Sequence, residues 1–221
     1  MSLARQADAA DVRRFVLVSS VKVNGEAAHL GQPFTPHDVP APVDAYGVSK
    51  WEAEQGLHGL AEQRAMELVI IRPPLVYGPG VKANFAAMMR WLQRGLPLPF
   101  GAIYNQRSLV GLDNLVDLIA TVIAHPAAAH QTFLVSDGQD VSTTELLRRM
   151  GCALGCPARL IPVPASALKL AATVIGKPGV AQRLCASLQV DIEKTNRLLG
   201  WTPPASLDEG LHRAAKGFLR L

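Results

Sequence analysis

Tyr46 and Lys50 are the two residues whose types and spacing could carry out acid–base chemistry. Because they are four positions apart, a helix would place the phenol and the ammonium on the same face. The pKa of a free tyrosine is about 10, and a nearby ammonium favours the phenolate, which brings the phenol nearer to the range of a general acid–base. Any amphipathic helix can carry this spacing by chance, so its meaning depends on the flanking segments.

Two apolar segments flank this pair and have the character of buried parallel strands. The first is Arg14-Phe-Val-Leu-Val-Ser-Ser20, and the second is Leu68-Val-Ile-Ile-Arg72, which Pro73 and Pro74 terminate. Active sites of open α/β sheets lie at the carboxyl ends of such strands. We therefore expect the two serines that close the first segment to lie in one cleft with the phenol and the ammonium.

The order of these motifs resembles the extended short-chain dehydrogenase/reductase family, and within it the nucleotide-sugar epimerases, dehydratases and 4-ketoreductases. The resemblance extends from about Leu3 to the segment Leu198-Leu-Gly-Trp-Thr-Pro203. It implies an α/β fold, with a partial Rossmann-like parallel sheet and a smaller, mostly helical C-terminal region. Residues 1–80 would be the C-terminal part of a dinucleotide-binding domain, and residues 81–221 the substrate-binding region. The strand near 132–136 could return to the main sheet.

The resemblance also implies catalytic roles for three residues. Tyr46 would exchange a proton with O4 of the sugar while hydride passes to or from the nicotinamide. Lys50 would hold the nicotinamide ribose and lower the pKa of the phenol, so that both residues also bind cofactor. Ser20, with Ser19 as a second substrate contact, would hydrogen-bond the same sugar oxygen. The alternative for the serines is that they only end a strand by bonding to its backbone.

Five further residues match the family's ligand-binding positions. Pro73 and Pro74 would lie at the nicotinamide end of the cofactor. Asn84 and Phe85 match an Asn-Leu pair whose Asn contacts the nucleotide diphosphate, and Arg107 matches an arginine that clamps it. Bidentate pairing with phosphate is the physical reason for an arginine there, although Arg107 could instead be an ordinary surface cation. The implied substrate is a UDP-sugar or a similar nucleotide sugar, and the implied assembly of the full-length enzyme is a homodimer.

The family's cofactor is NAD, with NADP not excluded, and the unit that holds its pyrophosphate has no counterpart before Ser19. That unit is a strand, a Gly-rich turn and a helix N-terminus. The segment Gly78-Pro-Gly-Val-Lys-Ala83 fits the Gly-rich spacing, but two prolines separate it from the preceding strand. We therefore expect this chain to be the C-terminal part of such an enzyme and not to turn over a sugar nucleotide by itself.

Composition narrows the other possibilities. The net charge of +4 comes from scattered basic residues, which argues against nucleic-acid binding. No apolar segment approaches the roughly 20 residues that span a bilayer. The three cysteines and six histidines have no metal-ligand spacing, so we expect no metal. An odd number of cysteines without a signal peptide favours a cytoplasmic protein.

Local patterns also predict where several helices begin. Asp44 has the type and position of an N-cap for the helix that carries the phenol and the ammonium, and Asp113 those of an N-cap for the helix that ends near Ala124. Ser142 and Glu145 have the spacing of a capping box.

Three functions remain open from the sequence. The first is an NAD(P)-dependent nucleotide-sugar 4-epimerase or 4-ketoreductase of surface-polysaccharide synthesis. Leu75 departs from that pattern, because 4-epimerases commonly have there an asparagine that contacts substrate. The second is therefore a reductase of another carbonyl, of the hydroxysteroid or flavonoid type. The third is a non-catalytic fragment that binds a sugar nucleotide or a partner chain.

Overall fold

The computed structural model describes residues 2–176 and 178–220. Its strands are β1 (Arg14–Val18), β2 (Glu67–Arg72), β3 (Leu75–Tyr77), β4 (Leu109–Gly111) and β5 (Gln131–Leu134). Its α-helices are α1 (Ser2–Ala9), α2 (Ala45–Ala61), α3 (Ala83–Gln93), α4 (Leu112–Ala124), α5 (Thr143–Ala153), α6 (Ala165–Val174), α7 (Pro178–Cys185), α8 (Glu193–Leu199) and α9 (Leu207–Leu219). No helix in these ranges is long and apolar enough to cross a membrane.

The main sheet is parallel and has the strand order β1-β2-β5. The central strand β2 is an apolar run rich in β-branched residues, and Val69, Ile70 and Ile71 are buried within it. Helices cover both faces, since α2 packs against Ile70 through Leu57 while α4 packs against the opposite face. A strand covered on both faces is the arrangement that a continuous apolar run favours. The predicted α/β fold with a parallel sheet is confirmed.

A second, two-stranded parallel sheet pairs β3 with β4 in the register Leu75–Leu109 to Tyr77–Gly111. Helices α3, α5 and α9 surround it and form a separate apolar core around Tyr77. The sequence did not predict β3 or β4. This sheet joins the segment after Pro74 to the segment after Arg107, and it therefore sets the position of the C-terminal half.

The helix caps agree with the sequence in part. Asp44 caps α2, because its Oδ1 accepts a 2.7 Å hydrogen bond from the Gly47 amide. Ser142 caps α5 in the same way, through the amide of Glu145. The carboxylate of Glu145, however, accepts from Arg149 at 2.8 Å, so the structure has the serine half of the predicted capping box.

The prediction that Asp113 caps α4 is wrong. Gly111 occupies the N-cap position, and Asp113 lies in the first turn of the helix. Its carboxylate accepts a 2.5 Å hydrogen bond from Arg213 of α9. The extended backbone that precedes α4 belongs to β4, which leads directly into the helix, so the helix begins earlier than the polar residue suggests.

Candidate active site

The candidate site lies at the carboxyl ends of β1 and β2. The amide of Ser19 donates to the Ile71 carbonyl at 2.7 Å, and the amide of Val21 donates to the Pro73 carbonyl at 3.0 Å. These bonds continue the strand pairing beyond the regular ladder. They hold Ser19 and Ser20 next to buried Pro73, as the sequence predicts for the end of the first strand.

The two serines have different hydrogen-bond partners. Ser19 is buried, and its Oγ donates to Oε1 of Glu54 at 2.5 Å. Ser20 begins a short 3₁₀ turn at Val21–Val23, and its Oγ accepts from the Lys22 amide at 3.2 Å. The hydroxyl hydrogen of Ser19 is therefore engaged within the protein, whereas the accepting role of Ser20 leaves its own O–H available to donate.

Tyr46 and Lys50 lie on one face of α2, beside the end of β1. The Lys50 Nζ donates to the Val18 carbonyl at 3.1 Å and lies 5.7 Å from the centroid of the Tyr46 ring. The Tyr46 side chain is 51% exposed. The structure thus places the phenol and the ammonium together next to the serine-bearing strand end, which is where the spacing predicts them.

The first turn of α2 packs closely against the turn that follows Ser20. A Cβ at Gly47 would lie 2.8 Å from the Lys22 carbonyl oxygen, so only glycine permits this approach. The Lys22 ammonium also pairs with the carboxylates of Asp44 and Glu26. The glycine in the sequence Tyr46-Gly47 thus has a packing reason, which is to bring the phenol close to the serine turn.

The ion pair between Lys22 and Asp44 shifts the pKa of both groups. The hydrogen bond from Lys22, together with the Gly47 amide, holds the pKa of Asp44 below its usual value. Partial burial by itself lowers the pKa of Lys22, but the hydrogen bonds and charges of Asp44 and Glu26 raise it above its ordinary value. The start of α2 is therefore held by a charged pair at neutral pH.

A buried charged network, which sequence reasoning missed, lies one helical turn beyond Lys50. Arg72 donates from Nη2 to Oε2 of Glu54 at 2.6 Å and from Nε to Oε1 at 3.0 Å. Its Nη1 donates to Oδ1 of Asn24 at 3.1 Å. The spacing of Tyr46, Lys50 and Glu54, each four residues apart on α2, was the signal that could have pointed to the carboxylate.

The predicted residues of α3 have unequal exposure. Asn84 is exposed in the first turn of the helix. Phe85 is 1% exposed and stacks on Tyr77, with ring centroids 5.4 Å apart. The Phe85 side chain therefore packs inside the C-terminal core, and a substrate contact at this position would fall to the backbone. Pro74, which precedes β3, is likewise buried.

Arg107 lies in an extended segment just before β4. Its backbone exchanges hydrogen bonds with Val141 at 3.0 and 3.1 Å, and its Nη1 approaches the Ala186 carbonyl at 3.4 Å. Burial lowers the pKa of its guanidinium. Asn84 lies on α3, Arg107 just before β4 and Tyr46 on α2. That the three residues share one site stays a prediction.

Comparison with known proteins identifies the family. The NAD dependent epimerase/dehydratase family matches residues 1–136, which include the ends of β1 and β2 and the part of α2 that carries Tyr46, Lys50 and Glu54. The chain belongs to this family. The resemblance drawn from the sequence is therefore confirmed, and with it the enzyme class of NAD-dependent epimerases and dehydratases.

Individual relatives cover all or nearly all of this chain. A UDP-glucose 4-epimerase of Vibrio cholerae is 53% identical over 221 residues, which are 100% of this chain and 67% of that protein. An Escherichia coli O157:H7 protein, an N-acetyl-alpha-D-glucosaminyl-diphospho-ditrans,octacis-undecaprenol 4-epimerase, is 27% identical over 91% of this chain and 64% of its own length. The chain thus spans about two thirds of these relatives.

A solved structure has the same fold. The UDP-glucuronic acid 4-epimerase from Bacillus cereus, in complex with NAD, superposes on this chain with a TM-score of 0.79 at 19% identity. The match covers 100% of this chain and 64% of the Bacillus protein. At 19% identity this similarity shows only that the fold is shared.

Proposed function

We propose that this chain carries the acid–base and substrate-binding residues of an NAD-dependent UDP-sugar 4-epimerase. The observation that carries the proposal is the joint position of Tyr46 and Lys50, with the ammonium bonded to Val18 O at the end of β1. The 53% identity to a UDP-glucose 4-epimerase supports the same reaction for a protein that contains this chain. A role in surface-polysaccharide synthesis is the further expectation.

Tyr46 and Ser20 would both act on the O4 oxygen of the sugar. The exposed Tyr46 oxygen, as the phenolate, takes the proton from the sugar O4 hydroxyl, and the phenol that results returns it to the oxygen afterwards. Ser20, whose oxygen already accepts from the Lys22 amide, donates its own hydrogen to the same O4. The phenol and the serine thus hold one sugar oxygen from two sides.

Lys50 provides the contact that fits a nicotinamide cofactor. An ammonium has three N–H donors, and the bond to Val18 O leaves donors for the ribose hydroxyls. NAD, when bound, supplies the acceptor for the C4 hydride. Pro73 and Pro74, which follow β2 at the same edge of the sheet, would border the nicotinamide end.

Arg107 and Asn84 would bind the substrate diphosphate. We propose residues 81–221 as the substrate-binding region and residues 1–80 as part of the dinucleotide-binding domain, with β5 paired to β2 as the connection between them. If Arg107 makes a charge-assisted bond to the diphosphate, Arg107→Ala weakens UDP binding by about 1.5–3 kcal/mol. Isothermal titration of UDP into both chains measures the difference, and equal affinities would remove Arg107 from the site.

A test of turnover must supply a unit that binds the pyrophosphate of NAD. An extended chain, defined as these 221 residues with a Gly-rich dinucleotide-binding unit fused ahead of them, should convert UDP-galactose to UDP-glucose when NAD is present. The 221-residue chain alone should not. Turnover of a non-sugar carbonyl compound in place of UDP-galactose would favour the reductase, and UDP binding by an inactive extended chain would favour the non-catalytic alternative.

A second candidate substrate is a lipid-linked diphosphosugar. The observation that favours it is the outer face of α6, where Leu170, Val174 and Ile175 (beyond its last turn) are 68%, 80% and 70% exposed. The Escherichia coli relative acts, by its name, on a sugar diphosphate carried by undecaprenol. An apolar surface would be able to bind the polyprenyl part of such a substrate. Competition between UDP-galactose and a polyprenyl-diphosphate sugar for the extended chain distinguishes the two substrates.

A further inference from the structure

Glu54 continues the stripe of functional side chains along α2. Tyr46, Lys50 and Glu54 are each four residues apart, so they follow one face of the helix. Glu54 is fully buried, and its carboxylate accepts hydrogen bonds from Ser19 and Arg72. The stripe therefore runs from an exposed phenol, through a partly buried ammonium, to a buried carboxylate.

The network around Glu54 joins four segments of the chain. Ser19 belongs to the end of β1, Arg72 to the end of β2, and Glu54 to α2. Asn24 accepts from Arg72 at 3.1 Å and donates to the Thr35 carbonyl at 2.9 Å, which adds the loop between the 3₁₀ turn and α2. Each of these elements also borders the phenol, the ammonium or the serine turn.

Stability alone gives a weak reason for a charged pair in this position. Glu54 and the Arg72 side chain are at most 5% exposed, so both groups lose most of their hydration. An apolar pair of similar volume is often as stable as a buried ion pair, or more so. Directional hydrogen bonds, however, fix an orientation that an apolar contact does not.

We propose that Glu54 is a positioning residue that fixes α2 against the strand ends, so that Tyr46 and Lys50 meet the substrate in one orientation. Two consecutive residues of the β1 end hold the helix, since Val18 O binds Lys50 and the Ser19 hydroxyl binds Glu54. Two bonds one helical turn apart prevent the helix from sliding or rotating. This role rests on the proposed function of the phenol and the ammonium.

The test replaces the ion pair with apolar residues and observes Tyr46 directly. The double variant Glu54→Leu, Arg72→Met is prepared in the 221-residue chain labelled with 3-fluorotyrosine, and Tyr→Phe variants assign its three tyrosine signals. The melting temperature should fall moderately, because the buried Ser19 hydroxyl and Asn24 Oδ1 lose their partners, but the chain should stay folded. The fluorine resonance of Tyr46 should shift and broaden, while those of Tyr77 and Tyr104 stay in place.

Two further variants complete this experiment. Glu52→Gln removes a carboxylate from the exposed side of the same helix and should leave all three resonances unchanged. Ser19→Ala removes one donor but keeps the ion pair, so it provides the answer if the double variant does not fold. It should shift the Tyr46 resonance by a smaller amount. An unchanged Tyr46 resonance in a folded variant that lacks these bonds overturns the proposal.

Turnover by the extended chain separates this inference from the proposed function. The double variant should lower kcat about 100-fold, the size of loss that misplacement by an ångström can cause, with KM nearly unchanged. An active parent with an equally active double variant contradicts the positioning role. An inactive parent contradicts the proposed function, and the fluorine spectra then decide the position of α2 by themselves.

Discussion

The surroundings of Tyr46 and of Tyr77 differ in almost every physical respect. Tyr46 is half exposed on α2 and faces an ammonium. Tyr77 is buried at the end of β3, where its hydroxyl donates to Asp137 at 2.7 Å and lies 3.2 Å from the Leu207 carbonyl. Burial and the Asp137 carboxylate raise the pKa of Tyr77 far above its ordinary value.

This difference distinguishes a tyrosine suited to catalysis from one that stabilises the fold. A phenol that exchanges protons with a substrate must be exposed to that substrate. A phenol enclosed by a carboxylate and a carbonyl is held as a donor and stabilises the packing of β3, α4 and α9. Tyr46 is therefore the tyrosine we assign to catalysis, and Tyr77 the tyrosine we assign to the C-terminal core.

The largest expected effect comes from Tyr46→Phe. Loss of a general acid–base lowers turnover by about 10²–10⁴-fold, so kcat of the extended chain should fall by that factor. The melting temperature should not change, because the hydroxyl is exposed. Tyr104→Phe, at a residue 79% exposed, is the matched control and should retain full turnover. Equal losses in both variants would contradict the assignment.

Gly210→Ala should destabilise the region around Tyr77. A Cβ at Gly210 would overlap the Tyr77 hydroxyl and lie 3.0 Å from its ring. Overpacking of this kind costs about 1–3 kcal/mol, which urea unfolding of the 221-residue chain measures. Gly59→Ala in α2 is the control, because open space surrounds its Cβ and it should stabilise the helix by about 0.5–1 kcal/mol. If both variants had the same stability, α9 would not pack as closely as described.

Tyr77→Phe tests the other side of the comparison. It removes one donor to Asp137, which still accepts at 2.7 Å from the Gly111 amide and from the Asn114 side chain. The two remaining donors bind Oδ1, whereas Tyr77 donates to Oδ2. A buried acceptor that loses a partner costs about 1–3 kcal/mol, and we expect a loss within that range. Urea unfolding should detect it, while the affinity for UDP should stay the same. A reduced affinity at full stability would give Tyr77 a role in the site.

The smallest effect is expected at the start of α2. Asp44→Ala removes an N-cap and should cost about 1 kcal/mol at neutral pH, whereas Asp44→Asn keeps the cap and loses only the charge. Because the folded-state pKa of Asp44 lies below its ordinary value of 3.8, the charge stabilises the protein above that value. The difference in unfolding free energy between the unsubstituted chain and Asp44→Asn should disappear as pH falls through the lowered pKa. A difference that persists in acid would exclude this charge as its cause.

The local parts of the fold were predictable from the sequence. The apolar run of β2 and the four-residue spacing on α2 depend on neighbours along the chain, and both were found. The strands β3 and β4 have three residues each, too few for a periodic pattern, and each forms only by pairing with the other. Asp113 is of a residue type that favours the N-cap position. Helix α4 nevertheless begins at Leu112, directly after β4, with Gly111 as its N-cap.

The candidate-site residues that belong to a sequence motif could be predicted. Tyr46, Lys50 and the two serines came from such motifs, and the structure places them at one edge of the sheet. Glu54 and Arg72 were missed because charged residues are usually exposed, and their burial depends on a contact between a helix and a strand. The different partners of Ser19 and Ser20 likewise depend on that contact, which no local pattern reveals.

Titration of UDP-glucose into the 3-fluorotyrosine-labelled chain tests the assignment of Tyr46 most directly. We predict that the Tyr46 resonance shifts with UDP-glucose and stays in place with UDP alone, because only the sugar reaches the phenol. The resonance of buried Tyr77 should move with neither ligand. If calorimetry shows that UDP-glucose binds while the Tyr46 resonance is unchanged, the sugar does not lie at the end of β1, and the assignment of Tyr46 is wrong.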